Sequence, residues 1–92
     1  MEITACKVRI SGRVTGVGFR YFTLRQASRY PEITGYVRNI NYGEVEVLLQ
    51  GKTNEVEEMT ACLRRGPFTA RVDNVEILPV PFNPSLREFE VE

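Results

Sequence analysis

An α+β fold, an antiparallel sheet with two helices on one face, is the class that the 92-residue sequence predicts. Stretches with apolar residues at every second position alternate with two stretches in which they recur at spacings of three and four. The resulting order is β-α-β-β-α-β with one further strand at the end, and the two middle strands are joined by only Asn41-Tyr42-Gly43.

The first strand shows in Cys6, Val8 and Ile10, which alternate with Lys7, Arg9 and Ser11. A glycine-rich turn, residues 12–20, then runs straight into a helix expected over 20–30. Phe19, Thr23, Ala27 and Tyr30 form its apolar or small stripe, and Pro31 stops it. Strands follow at 35–40 and 44–49, with Val45, Val47 and Leu49 facing the core. Asn39 shares a face with Val37 near a strand end, where an asparagine most simply shapes the turn.

Gly51 is expected to end the hairpin, and Thr53 or Asn54 to cap the next helix. Val56, Met59, Thr60 and Leu63 mark that helix's buried face, Glu55, Glu57 and Glu58 suit its first turn, and Arg64-Arg65-Gly66-Pro67 is a stop. Residues 70–78 read as a strand in which Val72 falls out of phase with Val75 and Ile77, as a bulge would require. Pro79, Pro81 and Pro84 mark an irregular connection, and 86–91 a short last strand with Phe89 and Val91 inward. The whole, residues 1–92, is expected to be one domain, a ferredoxin-like split β-α-β sandwich with a short extra C-terminal strand.

Composition narrows the chemistry. The sequence holds no histidine, the commonest general base and metal ligand. Its two cysteines, Cys6 and Cys62, lie far apart and make neither a zinc site nor a disulfide framework; both suit small core-side positions, and a bridge between them stays open. No apolar run approaches a membrane span and the N-terminus has no apolar signal region, so a cytoplasmic protein is expected. Formal net charge is zero, yet Lys7, Arg9, Arg13, Arg20, Arg25 and Arg29 precede Pro31 with no acidic residue after Glu2. That asymmetry fits a local anion site better than a nucleic-acid footprint, although a solvated helix face accounts equally well for Arg25 and Arg29.

The glycine turn is where an anion would sit. A helix start exposes unpaired N–H groups, and glycines let backbone wrap closely around a ligand. Gly18 and Phe19 bring no capping side chain, and Arg20 puts a cation where the helix dipole disfavours one. Such local conflicts collect at functional sites. The turn lacks the Lys-Ser/Thr of a Walker A loop and the last glycine of a dinucleotide fingerprint. On spacing alone, a plain glycine turn with a solvated arginine remains the competing account.

The residues Gly12-Arg13-Val14, then Gly16-Val17-Gly18-Phe19-Arg20, followed by Gly35-Tyr36-Val37-Arg38-Asn39, Gly43, Val45 and Gly51, resemble both signatures of the acylphosphatases in order and spacing. The resemblance extends over nearly the whole chain. It implies a metal-free and cofactor-free enzyme, with no covalent intermediate, that hydrolyses the carboxyl-phosphate bond of a small acylphosphate. Inorganic phosphate is then product and competitive inhibitor, and neither nucleic acid, membrane nor a second subunit is implied. The backbone N–H groups of Thr15, Gly16, Val17, Gly18, Phe19 and Arg20, with the Arg20 guanidinium, would hold the phosphoryl oxygens, and Asn39 would position the attacking water.

Such chemistry suits a protein without histidine. A mixed anhydride has a good leaving group, and phosphoryl transfer is catalysed mainly by positioning and charge stabilisation. Two departures stand out: Thr15 occupies a position where glutamine is usual, and the link 28–35 is one residue longer, with Pro31 near a common glycine. Two alternatives share the element order, a silent phosphate- or carbamoyl-phosphate-binding domain and an RNA-recognition module. The second would carry its glycine-aromatic motif on an interior strand rather than at a strand-to-helix turn.

Overall fold

In the computed structural model, which describes residues 2–92, five strands form one sheet. They are β1 (Ile3–Arg13), β2 (Thr34–Asn41), β3 (Glu44–Lys52), β4 (Arg71–Pro79) and β5 (Phe89–Val91), in the spatial order β4-β1-β3-β2-β5. Helices α1 (Phe19–Ala27) and α2 (Thr53–Arg65) follow β1 and β3. The alternation in the sequence sets the register: Val8 pairs with Val47 and Ile10 with Val45, so apolar side chains of neighbouring strands point to one face. Phe19 and Ala27 of α1, and Val56, Met59 and Leu63 of α2, complete a single core on that face with Val37 and Leu49. Each of these side chains larger than alanine contributes about 1.5–3 kcal/mol through burial.

Five expectations are refined by packing. α1 ends at Ala27 rather than at Tyr30, and the chain tightens there, the N–H of Tyr30 donating to the carbonyl of Ala27 at 2.9 Å. The residue before a proline is disfavoured in helical conformation, so the stop signal of Pro31 acts early. Gly51 does not end the hairpin: β3 continues to Lys52, and Gly51 is buried beneath Ile33. Neither Thr53 nor Asn54 caps α2, which begins at Thr53 with no side-chain cap. The Thr53 hydroxyl is instead hydrogen-bonded to that of Thr4 at 2.6 Å, fastening α2 to β1. Thr60, on the expected buried face of α2, is only half-buried.

The fifth concerns the last strand. β1 to β4 are antiparallel, but β5 runs parallel to β2, with Gly35 opposite Phe89 and Val37 opposite Val91, so the sheet is mixed. The proline-rich connection crosses the end of the sheet and enters at the far edge in the direction of β2. Phe89 is half-buried against the core, whereas Val91 is 39% exposed rather than inward. The bulge expected near Val72 is present: Ser11 pairs with Asn74 and Gly12 with Val72, leaving Asp73 as the extra residue.

Candidate active site

The turn between β1 and α1 takes its shape from its glycines. Gly16 and Gly18 have φ of +70° and +80°, a left-handed conformation that side chains resist, while the space a Cβ would take at either position is open. Backbone geometry, not crowding, is what demands glycine at these two positions. Gly18 is the N-cap of α1 and supplies no side-chain bond, and no acidic residue lies in the helix's first turn. Among the described residues, the N–H groups from Thr15 to Arg20 find no acceptor in the chain. A run of free donors at a helix N-terminus is an anion seat.

A cleft of about 250 Å³ opens beside this turn. Gly16, Gly18, Phe19 and Arg20 form one wall, and Asn39 from the end of β2 forms another. Val14, Tyr21, Leu24 and Val91 complete the lining, which contains no acidic side chain. The Arg20 guanidinium donates through Nη1 to the backbone carbonyl of Glu92 at 2.8 Å, and the N–H of Glu92 is in turn bonded to the carbonyl of Val37 at 2.9 Å. One arm of the fork is thereby fixed against the end of β5, while the remaining donors have no partner among the described residues.

Asn39 faces Val45 across the sheet at the last regular pair before the register shifts toward Asn41. Shaping the turn falls to Asn41, whose Nδ2 donates to Glu44 Oε1 at 2.8 Å. The side chain of Asn39 makes no hydrogen bond among the described residues and is exposed to the cleft.

Of the residues singled out in the sequence, Gly16, Gly18, Phe19, Arg20 and Asn39 meet in this cleft, and Thr15 and Val17 do not line it. Those two border an adjoining opening that shares Gly16 with the cleft, together with Arg13, Tyr42, Arg71 and Asp73. The hydroxyl of Thr15 accepts the N–H of Gly43 at 3.4 Å, and the carbonyl of Val17 accepts the Thr69 hydroxyl at 2.7 Å. Both contacts brace the turn, against the β2–β3 hairpin and against the segment leading to β4. Groups of three or more His, Cys, Asp or Glu placed to hold a metal do not occur among the described residues.

The Acylphosphatase family model matches residues 6–91. The chain belongs to the acylphosphatase family. An acylphosphatase of Nitrobacter winogradskyi is 51% identical over 77 residues, covering 84% of this chain and 77% of that one. An acylphosphatase of Vibrio cholerae is 40% identical over 91 residues, covering 99% of each chain. The crystal structure of acylphosphatase from Bacillus subtilis superposes with a TM-score of 0.89 at 25% identity, covering 99% of each chain.

Apart from Val14 of the turn itself, four residues of this acylphosphatase family member reach the site without having been singled out for it: Tyr21, Leu24, Val91 and Glu92. A signal existed for the first two. They sit three apart on α1 and off the Phe19, Thr23 and Ala27 stripe, and an apolar pair on the outer face of a helix invites a ligand. Val91 and Glu92 had no such signal, because their arrival depends on the parallel pairing of β5 with β2.

Proposed function

We propose that residues 1–92 act as one acylphosphatase domain, hydrolysing the carboxyl-phosphate bond of a small acylphosphate to a carboxylate and inorganic phosphate. The observation that carries this reading is the cleft itself, which has Asn39 on β2 together with Arg20 and the uncapped start of α1 in its lining. A domain that only bound phosphate would have no use for a second, unpartnered polar side chain in the wall.

In the proposed reaction the phosphoryl oxygens lie against the N–H groups from Thr15 to Arg20, and the free donors of Arg20 bridge two of them. The amide of Asn39 orients a water for in-line attack on phosphorus. The P–O bond to the acyl group breaks, the electron pair leaves on a carboxylate, and the water proton passes to the departing phosphate and solvent. A carboxylate leaves without a general acid because its own pKa lies near 4. Charge developing on the phosphoryl oxygens meets donors already in place, the arrangement that lowers such barriers most. No metal enters this scheme, since a guanidinium and helix N–H groups supply the positive field. The resemblance implies no second subunit, and two free cysteines, Cys6 and Cys62, suit the reducing cytoplasm.

Two measurements on the same protein test this. Purified protein should hydrolyse benzoyl phosphate, in the presence of chelator as well as in its absence. Phosphate at ten times its dissociation constant should stabilise the fold by about 1.4 kcal/mol, a rise of several degrees in Tm for a domain of this size. Phosphate also stabilises proteins by exclusion from their surface, so Arg20→Ala is the control. Equal shifts in wild type and Arg20→Ala would remove the anion site, and with it the physical basis of the proposed activity.

A further inference from the structure

We propose that Tyr21, Leu24 and Val91 form the seat of the acyl group and make this protein select acylphosphates whose acyl part is hydrocarbon rather than charged. The inference rests on the acylphosphatase reading and extends it to the half of the substrate that the anion seat does not touch. Tyr21 is 72% exposed and Val91 39% exposed, and with Leu24 they gather apolar surface at one opening, where a ligand would cover it. They come from two elements about 70 positions apart in sequence, yet with Leu24 they line the same cleft as Arg20 and Asn39. The occupant follows from covalent structure: in a mixed anhydride the acyl carbon is joined to phosphorus through a single oxygen. A phosphoryl group held at the turn therefore obliges the acyl group to lie within the same opening.

Size and polarity then narrow the class. At about 250 Å³ the cleft is smaller than the usual 300–1,000 Å³ of drug-binding pockets, and fits a short alkanoyl or a single aromatic ring. Its charged and amide side chains, Arg20 and Asn39, are already engaged by the phosphoryl group and water in the proposed reaction. A second carboxylate on the acyl part would lie against Leu24, Val91 and the Tyr21 ring with no further cation in the lining, so it would give up part of its hydration and gain no ion pair.

The test compares kcat/KM for benzoyl and acetyl phosphate in wild type, Tyr21→Ser, Leu24→Ser and Val91→Ser. Taking the benzoyl-to-acetyl ratio in each variant relative to wild type cancels the intrinsic reactivity of the two leaving groups. One buried methylene is worth about fourfold in affinity, so the ratio should fall about fourfold or more in Leu24→Ser and Val91→Ser, chiefly through a higher KM for benzoyl phosphate. Tyr21 is exposed enough that its substitution leaves the fold intact, which keeps the comparison available if Leu24→Ser is unstable. A ratio within twofold of wild type in all three variants overturns the proposal, as does a lower wild-type KM for succinyl phosphate than for benzoyl phosphate. Wild type inactive on every acylphosphate would overturn the enzymatic reading instead, a different result from activity with an unaltered ratio.

Discussion

Arg20 and Asn39 share a cleft but differ in chemistry, so their substitutions should fail in different ways. Arg20 is planar and offers a fork of donors, one of which is held by the carbonyl of Glu92. A lysine in its place is a point charge that cannot span two phosphoryl oxygens while keeping that bond, so Arg20→Lys should lose at least tenfold in kcat/KM and raise the phosphate inhibition constant. Activity within about threefold of wild type would show that the fork is not used. Asn39 carries no charge, and its side chain makes no hydrogen bond among the described residues. Asn39→Ala should lower kcat by orders of magnitude while leaving phosphate inhibition nearly unchanged, and a large rise in that inhibition constant would place Asn39 on phosphate rather than water. Thr15, the departure from the usual glutamine, takes its own part by bonding the N–H of Gly43.

Strands β2 and β3 carry a polar cluster on the sheet face away from the helices. Glu46 is 4% exposed and accepts from the Tyr36 hydroxyl at 2.9 Å and from Arg38 Nη2 at 2.8 Å, while Arg38 stacks 5.0 Å from the Tyr36 ring. Burial alone would raise the pKa of Glu46, but the hydrogen bonds from Tyr36 and Arg38, with Lys7 and Arg38 nearby, outweigh it and hold the carboxyl below its usual range. Burial first, and then the bond to Glu46, pushes the Tyr36 phenol up. A carboxylate with a depressed folded pKa stabilises the fold above its unfolded value, near 4.3, and that stability is lost as pH falls through the lower folded value. The urea midpoint of wild type should therefore drop below about pH 4, whereas Glu46→Gln should start about 1–3 kcal/mol less stable at pH 7 and show a flatter acid limb. Parallel acid limbs would assign the acid sensitivity to other carboxylates.

At the scale of the whole molecule, one buried side chain anchors the route by which β5 reaches the cleft. Gln50 of β3 is fully buried; its Nε2 donates to Thr34 Oγ1 at 3.0 Å and to the carbonyl of Asn83 at 2.7 Å, and its Oε1 accepts the N–H of Asn83 at 3.0 Å. Asn83 lies in the proline-rich connection, so this clamp ties the crossover to the middle of the sheet before β5 delivers Val91 and Glu92 to Arg20. Gln50→Leu fills similar volume but strands both backbone groups of Asn83, at about 2–4 kcal/mol. Tm should fall by about 10–20 °C, and the KM for benzoyl phosphate should rise as the β5 wall loosens. A variant that melts like wild type would show that the prolines alone hold the connection.

By itself the sequence determined what depends on neighbours along the chain. Period-two alternation placed β1 to β4, the off-phase Val72 announced the bulge, and glycines at 16 and 18 with no capping side chain marked the uncovered start of α1. Asn39 was the limit of that logic: its residues alone suggested a turn former, and only the resemblance of the motif around it pointed to a site. The tertiary structure decided what depends on pairs far apart in sequence. Thr53 starts α2 uncapped because its hydroxyl meets Thr4, 49 residues away, and Gly51 stays in β3 because Ile33 covers it. Val91 and Glu92 enter the cleft because β5 lies parallel to β2, and Glu92 reaches Arg20 across 72 residues. Periodicity and turn chemistry record which way a side chain faces on its own element; which element it then faces is set by packing and hydrogen-bond satisfaction once the chain has closed on itself.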